Sequence, residues 1–200
     1  MEVRITFVNS LTNVVSMRKL IAAINMTLDG YCDHTSALAD DELHQHFTEL
    51  LLNAGGVIYG RTTYQMMESY WPTVVKNPTG NKSDNDFALA VDNVQKIVFS
   101  RTLKSVGWKN ARLAKGGIKE EVLALKQQEG KPVFACSPSM IVACTQLGLV
   151  DEYHLCVHPV VAGSGLPLFK NISERFILKL LKTKTFGNGT IAVYYEPIKK

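Results

Sequence analysis

The chain contains 200 residues, of which 46% are hydrophobic and 20% are charged, and its formal net charge is +4. This length and composition are typical of a single soluble domain, and no apolar run approaches the length of a membrane span. The lysines are spread along the chain rather than clustered, which disfavours nucleic-acid binding. The mild positive charge suits an anionic small molecule.

Cysteine spacing and the first sixteen residues bear on the cellular compartment. Four cysteines occur without a CxxC or zinc-finger spacing, which favours free thiols in a reducing environment. Polar residues interrupt the apolar side chains of residues 1–16, so this segment lacks the continuous apolar core of a signal peptide. We therefore expect a cytoplasmic protein.

The first predicted strand covers residues 19–25 and is followed by a polar turn, Leu28-Asp29-Gly30. Its apolar run, Leu20 to Ile24, is typical of a central strand that is buried on both faces. Open α/β sheets bind ligands beyond the carboxyl ends of their strands, which is where this turn lies. The alternative is a turn without any ligand, because an Asp-Gly pair favours turns by itself.

The next predicted helix begins at the Asp40-Asp41 pair, which caps it. Its apolar stripe comprises Leu43, Phe47, Leu50 and Leu51. His44 and His46 are two residues apart and so project about 200° apart around the helix, a poor geometry for sharing one metal ion. Cys32 and His34 would complete a conceivable cluster, but we expect ordinary helix-face and loop residues and no metal site.

A second strand, Val57 to Gly60, runs directly into Arg61-Thr62-Thr63 and a helix. Glycine allows the backbone to approach a ligand closely, and the start of a helix presents backbone N–H groups. The arginine and the two hydroxyl groups add positive charge and hydrogen-bond donors, so the pattern is chemically a phosphate-binding turn. The alternative is a solvated arginine at an ordinary helix start.

A third strand, Lys96 to Phe99, ends in a similar polar turn, Ser100-Arg101-Thr102. Between the second and third strands we expect an aromatic group at Tyr70-Trp71-Pro72, which is either core or a wall of the substrate cleft. A polar loop over residues 76–84 and a short helix over residues 87–91 follow it. The third strand end again combines hydroxyl groups with an arginine, and its alternative is a capped loop with a solvated arginine.

Residues 131–169 predict a strand, a helix, a second strand and a glycine loop, which together form a βαβ unit. The strand Val133 to Ala135 leads through Cys136 to Ser137-Pro138, a typical helix start. The helix dipole and the backbone N–H groups make this helix start a natural anion site. The second strand then leads to the loop Gly163-Ser164-Gly165.

The end of the chain changes its pattern. Alternating segments over residues 176–186 and 190–195 flank Gly187-Asn188-Gly189, which predicts an antiparallel hairpin. Parallel βαβ units followed by such a hairpin predict an α/β fold with a central mixed, mostly parallel sheet.

Several of these motifs together resemble the dihydrofolate-reductase-like superfamily. The matching runs are Gly148 to Tyr153, His158-Pro159-Val160, Gly163-Ser164-Gly165, Leu168-Phe169 and Gly60-Arg61 with Thr63-Tyr64. The closer likeness is to the branch related to the reductase domain of riboflavin biosynthesis, and to small stand-alone bacterial reductases of that branch. The resemblance covers Leu20 to Tyr195 and implies one three-layer α/β/α domain over residues 17–200, with residues 1–16 as an N-terminal extension.

The resemblance implies an oxidoreductase that transfers hydride from NADPH to a small, flat heterocyclic substrate. The polar turn after the third strand favours NADPH over NADH, because the family uses this turn for the adenosine 2′-phosphate. The implied cofactor-binding residues are Ala23, Gly30, Gly60, Arg61, Thr62, Thr63, Ser100, Arg101, Thr102, Cys136, Ser137, Ser139, Met140, Gly163 and Gly165. The implied substrate-side residues are Asp29, Asp41, Phe47, Tyr64 and Trp71.

Asp29 is the acid nearest the implied nicotinamide site, and our hypothesis is that it supplies the catalytic proton. The alternative is that Asp29 only shapes its turn. Family likeness also implies a homodimer, and the last two strands leave a sheet edge that needs cover.

The chain departs from the family pattern at two positions. Cys136 stands where the family usually has a glycine, which narrows the space for the pyrophosphate. The carboxylate that true dihydrofolate reductases carry on the first helix aligns near His44 or Gln45, so folate is not the expected substrate. Two alternatives therefore stay open, namely the 5-amino-6-(5-phosphoribosylamino)uracil reductase of riboflavin synthesis and a reductase-like domain that binds a nucleotide without turnover.

Overall fold

Residues 17–32, 38, 40–172 and 174–198 are described by the computed structural model, so the predicted N-terminal extension and His34 lie outside the described residues. The strands are β1 (Leu20–Thr27), β2 (Gly56–Gly60), β3 (Lys96–Phe99), β4 (Ala111–Leu113), β5 (Val133–Ala135), β6 (Glu152–His158), β7 (Leu178–Thr185) and β8 (Ile191–Pro197). The helices are α1 (Asp41–Leu52), α2 (Arg61–Lys76), α3 (Lys82–Asn93), α4 (Ile118–Lys126) and α5 (Pro138–Gln146).

The eight strands of the described residues belong to one sheet with the order β4-β3-β2-β5-β1-β6-β8-β7. The strands from β4 to β6 in this order pair in parallel, whereas β8 is antiparallel to β6 and β7 is antiparallel to β8. The predicted mixed, mostly parallel sheet with a C-terminal antiparallel hairpin is confirmed. β1 lies between β5 and β6, which explains its continuous apolar run.

Helices cover both faces of the sheet because each helix turns one apolar stripe inward. On one face, Leu51 of α1, Tyr64 of α2 and Val91 of α3 share a buried cluster with the strands. On the other face, Val122 of α4 and Ile141 of α5 share a second buried cluster. None of the helices in the described ranges is both long enough and apolar enough to cross a membrane.

The segment between β2 and β3 differs from the sequence prediction. α2 continues through Tyr70-Trp71-Pro72 to Lys76, and Trp71 packs against the core cluster on this face of the sheet. α3 begins at Lys82, which makes it longer than the predicted short helix. Asn81 Oδ1 accepts a hydrogen bond from the Ser83 N–H at 2.7 Å, so the helix starts at a capping asparagine that the polar composition of the loop concealed.

Candidate functional site

The carboxyl ends of the parallel strands meet at one edge of the sheet, which we call the carboxyl edge. The predicted ligand-binding turns follow β1, β2, β3, β5 and β6 at this edge. Because β2 and β5 are neighbours in the sheet, the helices that follow them, α2 and α5, begin side by side. The fold therefore gathers these turns on one surface, where open α/β sheets bind ligands.

A hydrogen bond joins the starts of α2 and α5. The backbone N–H of Gly60 donates to Ser137 Oγ at 2.9 Å, and Ser137 is fully buried. A Cβ atom at position 60 would lie 2.5 Å from Ser139 Oγ, so glycine is the residue that fits between the two turns. We call these two turns, residues 60–63 and 136–139, the β2–β5 cradle.

The β2–β5 cradle presents hydrogen-bond donors to solvent. Neither α2 nor α5 has a side chain that caps its first turn within the described part of the chain. Uncapped N–H groups at a helix start donate readily to anions, and the two helix dipoles add partial positive charge. Arg61 and Thr62 are exposed beside these groups, and Thr63 is half-buried. The arrangement is chemically suited to a diphosphate.

Ser100 holds the turn that follows β3. Its Oγ accepts hydrogen bonds from the backbone N–H groups of Thr102 at 3.1 Å and Leu103 at 2.9 Å. Arg101 and Thr102 are exposed on this turn, and β3 is the neighbour of β2. Ser100 therefore shapes the turn that presents Arg101 and Thr102 next to the β2–β5 cradle.

Three residues predicted to contact a ligand lie in the core instead. Ala23 in the middle of β1 is 3% exposed, and Met140 on α5 is 2% exposed. Tyr64 is 1% exposed, and its hydroxyl donates to Glu68 Oε1 at 2.5 Å and accepts from the Trp108 N–H at 3.2 Å. These side chains fill the core layers on either face of the sheet. Side-chain contact with a ligand is therefore not favoured at these positions, and the cofactor and substrate contacts of the three residues stay predictions.

Cys136 contributes to packing within the β2–β5 cradle. Its side chain is half-buried and packs against the core cluster beneath α2 and α3. Burial raises the pKa of the thiol to about 12, so Cys136 stays protonated at neutral pH. Core packing accounts for the buried part of the Cys136 side chain, and the expected narrowing of a pyrophosphate site stays a prediction.

Asp29 accepts three hydrogen bonds at the end of β1. They come from Thr27 Oγ1 at 2.6 Å, the Gly163 N–H at 2.7 Å and the Ala162 N–H at 3.1 Å. These bonds, that from Thr27 foremost, lower the pKa of Asp29 to about 2. The ionised carboxylate ties the turn after β1 to the loop after β6 and occupies the Gly163 N–H predicted for the cofactor. The geometry thus favours the structural alternative for Asp29 over proton donation.

Backbone hydrogen bonds also pair the turn after β1 with the loop after β6. The Leu28 N–H donates to the Val160 carbonyl at 2.8 Å, and the Leu168 N–H donates to the Gly30 carbonyl at 3.0 Å. Gly30 and Gly165 have φ values of +90° and +140°, which side chains other than hydrogen rarely allow. We call this pair of segments, residues 27–32 and 159–168, the β1–β6 junction. The predicted cofactor contacts of Gly30 and Gly165 remain predictions.

Asp41, one of the residues predicted for the substrate, connects α1 to α3. Its Oδ1 accepts from Asn81 Nδ2 at 2.8 Å and from Ser83 Oγ at 2.7 Å, and these bonds lower the pKa of Asp41. One turn further along α1, His44 Nδ1 lies 2.8 Å from Asp84 Oδ1. This pair was not predicted from the sequence, because the polar composition around Asp84 indicates a loop. α3 thus brings a carboxylate next to the position where true dihydrofolate reductases carry their own.

Phe47 and Trp71 are half-buried and pack against neighbouring elements, and their predicted substrate contacts stay predictions. Phe47 joins the small core cluster beneath α1, and Trp71 contacts Phe87 edge-on with 4.5 Å between ring centroids. His46 is buried next to Phe47, and burial lowers its pKa to about 4. Among the described residues, no group of three or more His, Cys, Asp or Glu side chains is arranged to hold a metal ion.

Comparisons with known proteins agree with the motifs. The family model for the RibD C-terminal domain matches residues 18–192. The uncharacterized protein YyaP of Bacillus subtilis (strain 168) is 32% identical over 190 residues, covering 93% of this chain and 98% of the relative.

Two solved structures show the same fold. A putative riboflavin biosynthesis protein from Shewanella sp. PV-4 has a TM-score of 0.69 at 19% identity, covering 90% of this chain and 99% of that chain. A dihydrofolate reductase from Enterococcus faecalis, complexed with NADP(H), has a TM-score of 0.59 at 13% identity, covering 90% of this chain and 97% of that chain. The predicted dihydrofolate-reductase-like fold is confirmed.

Proposed function

Because this chain belongs to the RibD C-terminal domain family, we propose that it is an NADPH-dependent reductase that transfers hydride to a small heterocyclic substrate. The β2–β5 cradle is the observation that carries this proposal. Two uncapped helix starts, joined by the Gly60–Ser137 hydrogen bond, suit the two phosphates of a dinucleotide better than one isolated phosphate. The close approach at Gly60 suits a ligand that lies directly on the backbone.

The preference for NADPH over NADH rests on the turn after β3. A dinucleotide whose diphosphate lies in the β2–β5 cradle extends along the carboxyl edge toward β3, the neighbour of β2. Arg101 and Thr102 offer a cation and a hydroxyl donor at that place, which suits a second phosphate group. The Enterococcus faecalis structure of the same fold contains NADP(H), which supports this choice.

Bound NADPH supplies a hydride, and the residues of this chain position the reactants. Reduction of a C=N or C=O group also consumes one proton. Since Asp29 is ionised at neutral pH, we assign it to holding the loop after β6, and the proton comes from water. We propose that the substrate lies beside α1, a position that the family likeness implies.

A second candidate function is the 5-amino-6-(5-phosphoribosylamino)uracil reductase step of riboflavin synthesis. The match to the RibD C-terminal domain family favours it. The third possibility, nucleotide binding without turnover, is supported less by Cys136 because part of that side chain packs against the core. Its other argument, the missing carboxylate on α1, is weakened by Asp84, which lies beside His44.

Binding assays with NADPH and NADH test the proposal. We expect NADPH to bind at least about tenfold more tightly than NADH, which corresponds to about 1.4 kcal/mol. Arg61→Ala should weaken NADPH binding, whereas Arg112→Ala should not, because Arg112 lies in β4 and pairs with Glu121. Absence of binding, or equal affinity for the two nucleotides, would contradict the proposal.

Turnover assays then separate the candidate functions. The protein with NADPH is offered flat heterocycles, with and without a ribose phosphate, and NADPH oxidation is recorded. Oxidation with the phosphoribosylamino uracil alone supports the riboflavin step, and oxidation with other heterocycles supports the broader reductase. Tight NADPH binding without oxidation of any of them supports the binding domain.

We also propose that the protein forms a homodimer through β7 and β8. Leu180 is 51% exposed and Ile191 is 41% exposed on the sheet face that also carries Val193 and Tyr195. β7 is an edge strand, and an apolar, exposed edge promotes association with a further strand or sheet. A second copy of this chain presents the same apolar face, so association of the two copies covers the β7 edge of each.

A further inference from the structure

The motif His158-Pro159-Val160 has no part in the β2–β5 cradle, although it belongs to the family signature. His158 is the last residue of β6 and is 1% exposed. Buried polar groups are as a rule hydrogen-bonded, so the partners of the two ring nitrogens of His158 reveal what it holds together.

The contacts of His158 determine its tautomer. Nδ1 lies 3.0 Å from the backbone nitrogen of Leu38, and a backbone N–H can only donate. Nδ1 is therefore an acceptor without a hydrogen, and it is also 3.1 Å from Thr190 Oγ1. Nε2 then carries the hydrogen and donates it to Asn25 Oδ1 of β1 at 3.1 Å. His158 is neutral with its hydrogen on Nε2.

The backbone carbonyl of Leu38 is also held by a hydrogen bond, in this case from the β7–β8 turn. Asn188 Nδ2 donates to the Leu38 carbonyl at 2.6 Å, and Asn188 Oδ1 accepts from the Thr190 N–H at 2.9 Å. Glu42, in the first turn of α1, accepts from the Gly187 N–H at 3.0 Å. Both polar backbone groups of Leu38, two residues before the capping residue Asp40, are thus held from β6 and from the β7–β8 turn.

We propose that His158 is a positioning residue: as the neutral Nε2–H tautomer, it fixes the start of α1 at the carboxyl edge by holding Leu38. Protonation of Nδ1 would place a hydrogen against the Leu38 N–H and abolish that hydrogen bond. Burial lowers the pKa of His158, and Asp40 is the charged group that faces it and opposes this shift. The neutral form therefore persists at neutral pH, and acid releases Leu38.

The consequence for function rests on the proposed reductase activity. α1 carries the positions nearest the expected substrate, including Asp41 and His44, so a displaced helix start changes the substrate side of the site. The β2–β5 cradle makes no contact with His158 among the described hydrogen bonds. Loss of the His158 contact should therefore impair substrate use while leaving the affinity for NADPH unchanged.

The first test uses the free protein and two matched substitutions. The side-chain oxygen of His158→Asn reaches the place of Nδ1, so Leu38 keeps its acceptor. The amide of His158→Gln reaches the place of Nε2, so the Asn25 contact survives and the Leu38 acceptor is lost. We expect hydrogen exchange at the Leu38 amide to accelerate at least about tenfold in His158→Gln and to change little in His158→Asn. His154→Gln, on the same strand, is the control and should leave Leu38 exchange unchanged.

Nitrogen NMR of the wild-type imidazoles provides a signature that a merely structural histidine need not show. We expect Nε2 of His158 to be protonated and Nδ1 unprotonated at neutral pH, with Leu38 exchange accelerating as His158 takes up its second proton. An Nδ1–H tautomer, an imidazolium at neutral pH, or equal Leu38 exchange in the two variants would overturn the proposal. These readouts need no cofactor, so a failure of NADPH binding in the wild type refutes the reductase proposal and not the role of His158.

Discussion

The β2–β5 cradle and the β1–β6 junction occupy the same edge of one sheet but differ in whether a side chain of the protein accepts from their backbone N–H groups. In the cradle, two helix starts have no side-chain cap in the described structure, and an exposed arginine stands beside them. In the junction, Asp29 takes the N–H groups of Ala162 and Gly163. Donors without an internal acceptor are available to an anion, whereas satisfied donors build a rigid frame. The phosphates of the proposed dinucleotide would therefore find free donors in the cradle, whereas the junction has fewer donors to offer.

The largest expected effect concerns acid stability on the side of α1. His46 is buried and its pKa is lowered from 6.5 to about 4, because burial disfavours the imidazolium. Below pH 6.5 the His46 imidazole takes up a proton in the unfolded chain but stays neutral in the folded chain. The free energy of unfolding therefore falls as the pH falls toward 4. At about 1.4 kcal/mol per pKa unit, the loss reaches about 3 kcal/mol, of which about 2 kcal/mol appears by pH 5.

Urea unfolding of the wild type and of His46→Phe at pH 7 and pH 5 measures this loss. The phenylalanine suits the aromatic surroundings of His46, so we expect the wild type to lose about 2 kcal/mol more than the variant. Between pH 7 and pH 8 the two proteins should show the same pH dependence. Parallel losses in acid would mean that the burial of His46 does not control acid stability.

The second prediction concerns a substitution that blocks the β2–β5 cradle. Gly60→Val places a Cβ near Ser139 Oγ, where a Cβ would come within 2.5 Å, and its methyl groups fill the space in which a ligand meets the backbone. We expect the variant to lose the NADPH-induced stabilisation, which for the wild type is about 2.7 kcal/mol at a hundredfold excess over the dissociation constant. Gly80→Val is the matched control, because nothing lies within 4 Å of a Cβ there. Undiminished NADPH stabilisation of Gly60→Val would remove the cradle from the binding site.

The cradle was predictable from sequence, whereas the junction was only partly so. Glycine, hydroxyl groups and arginine directly after an apolar strand mark an anion site, because both the strand and the helix start are local patterns. The same patterns do not tell which side chains of an element face the core, so the burial of Ala23, Met140 and Tyr64 was not predicted. The contacts of His158 with Leu38 and Asn25 join three distant segments, so only the folded chain shows them.

The third prediction concerns the sheet face beyond the junction. Leu180→Asp places a charge in the proposed interface of β7 and β8, and we expect the dimer dissociation constant to rise at least about tenfold, or about 1.4 kcal/mol. Leu89→Asp on α3 is the control, because Leu89 is 50% exposed and Leu180 is 51% exposed. Light scattering across a concentration series reports the mass. A wild-type mass of 22.2 kDa at every concentration would refute the dimer.

The smallest expected effect distinguishes the two phosphate sites of the proposed cofactor. Arg101 is exposed on the turn after β3, so its ion pair with a phosphate is screened by water and contributes about 0.2–1 kcal/mol. Arg101→Ala should therefore weaken NADPH binding by no more than about fivefold and leave NADH binding unchanged. Lys104→Ala, which removes a nearby exposed cation outside the tip of the turn, should change neither affinity. Calorimetric titration with both nucleotides checks this. If Arg101→Ala weakened NADPH and NADH equally, Arg101 would contact a part that the two nucleotides share, and the choice of NADPH would need another residue.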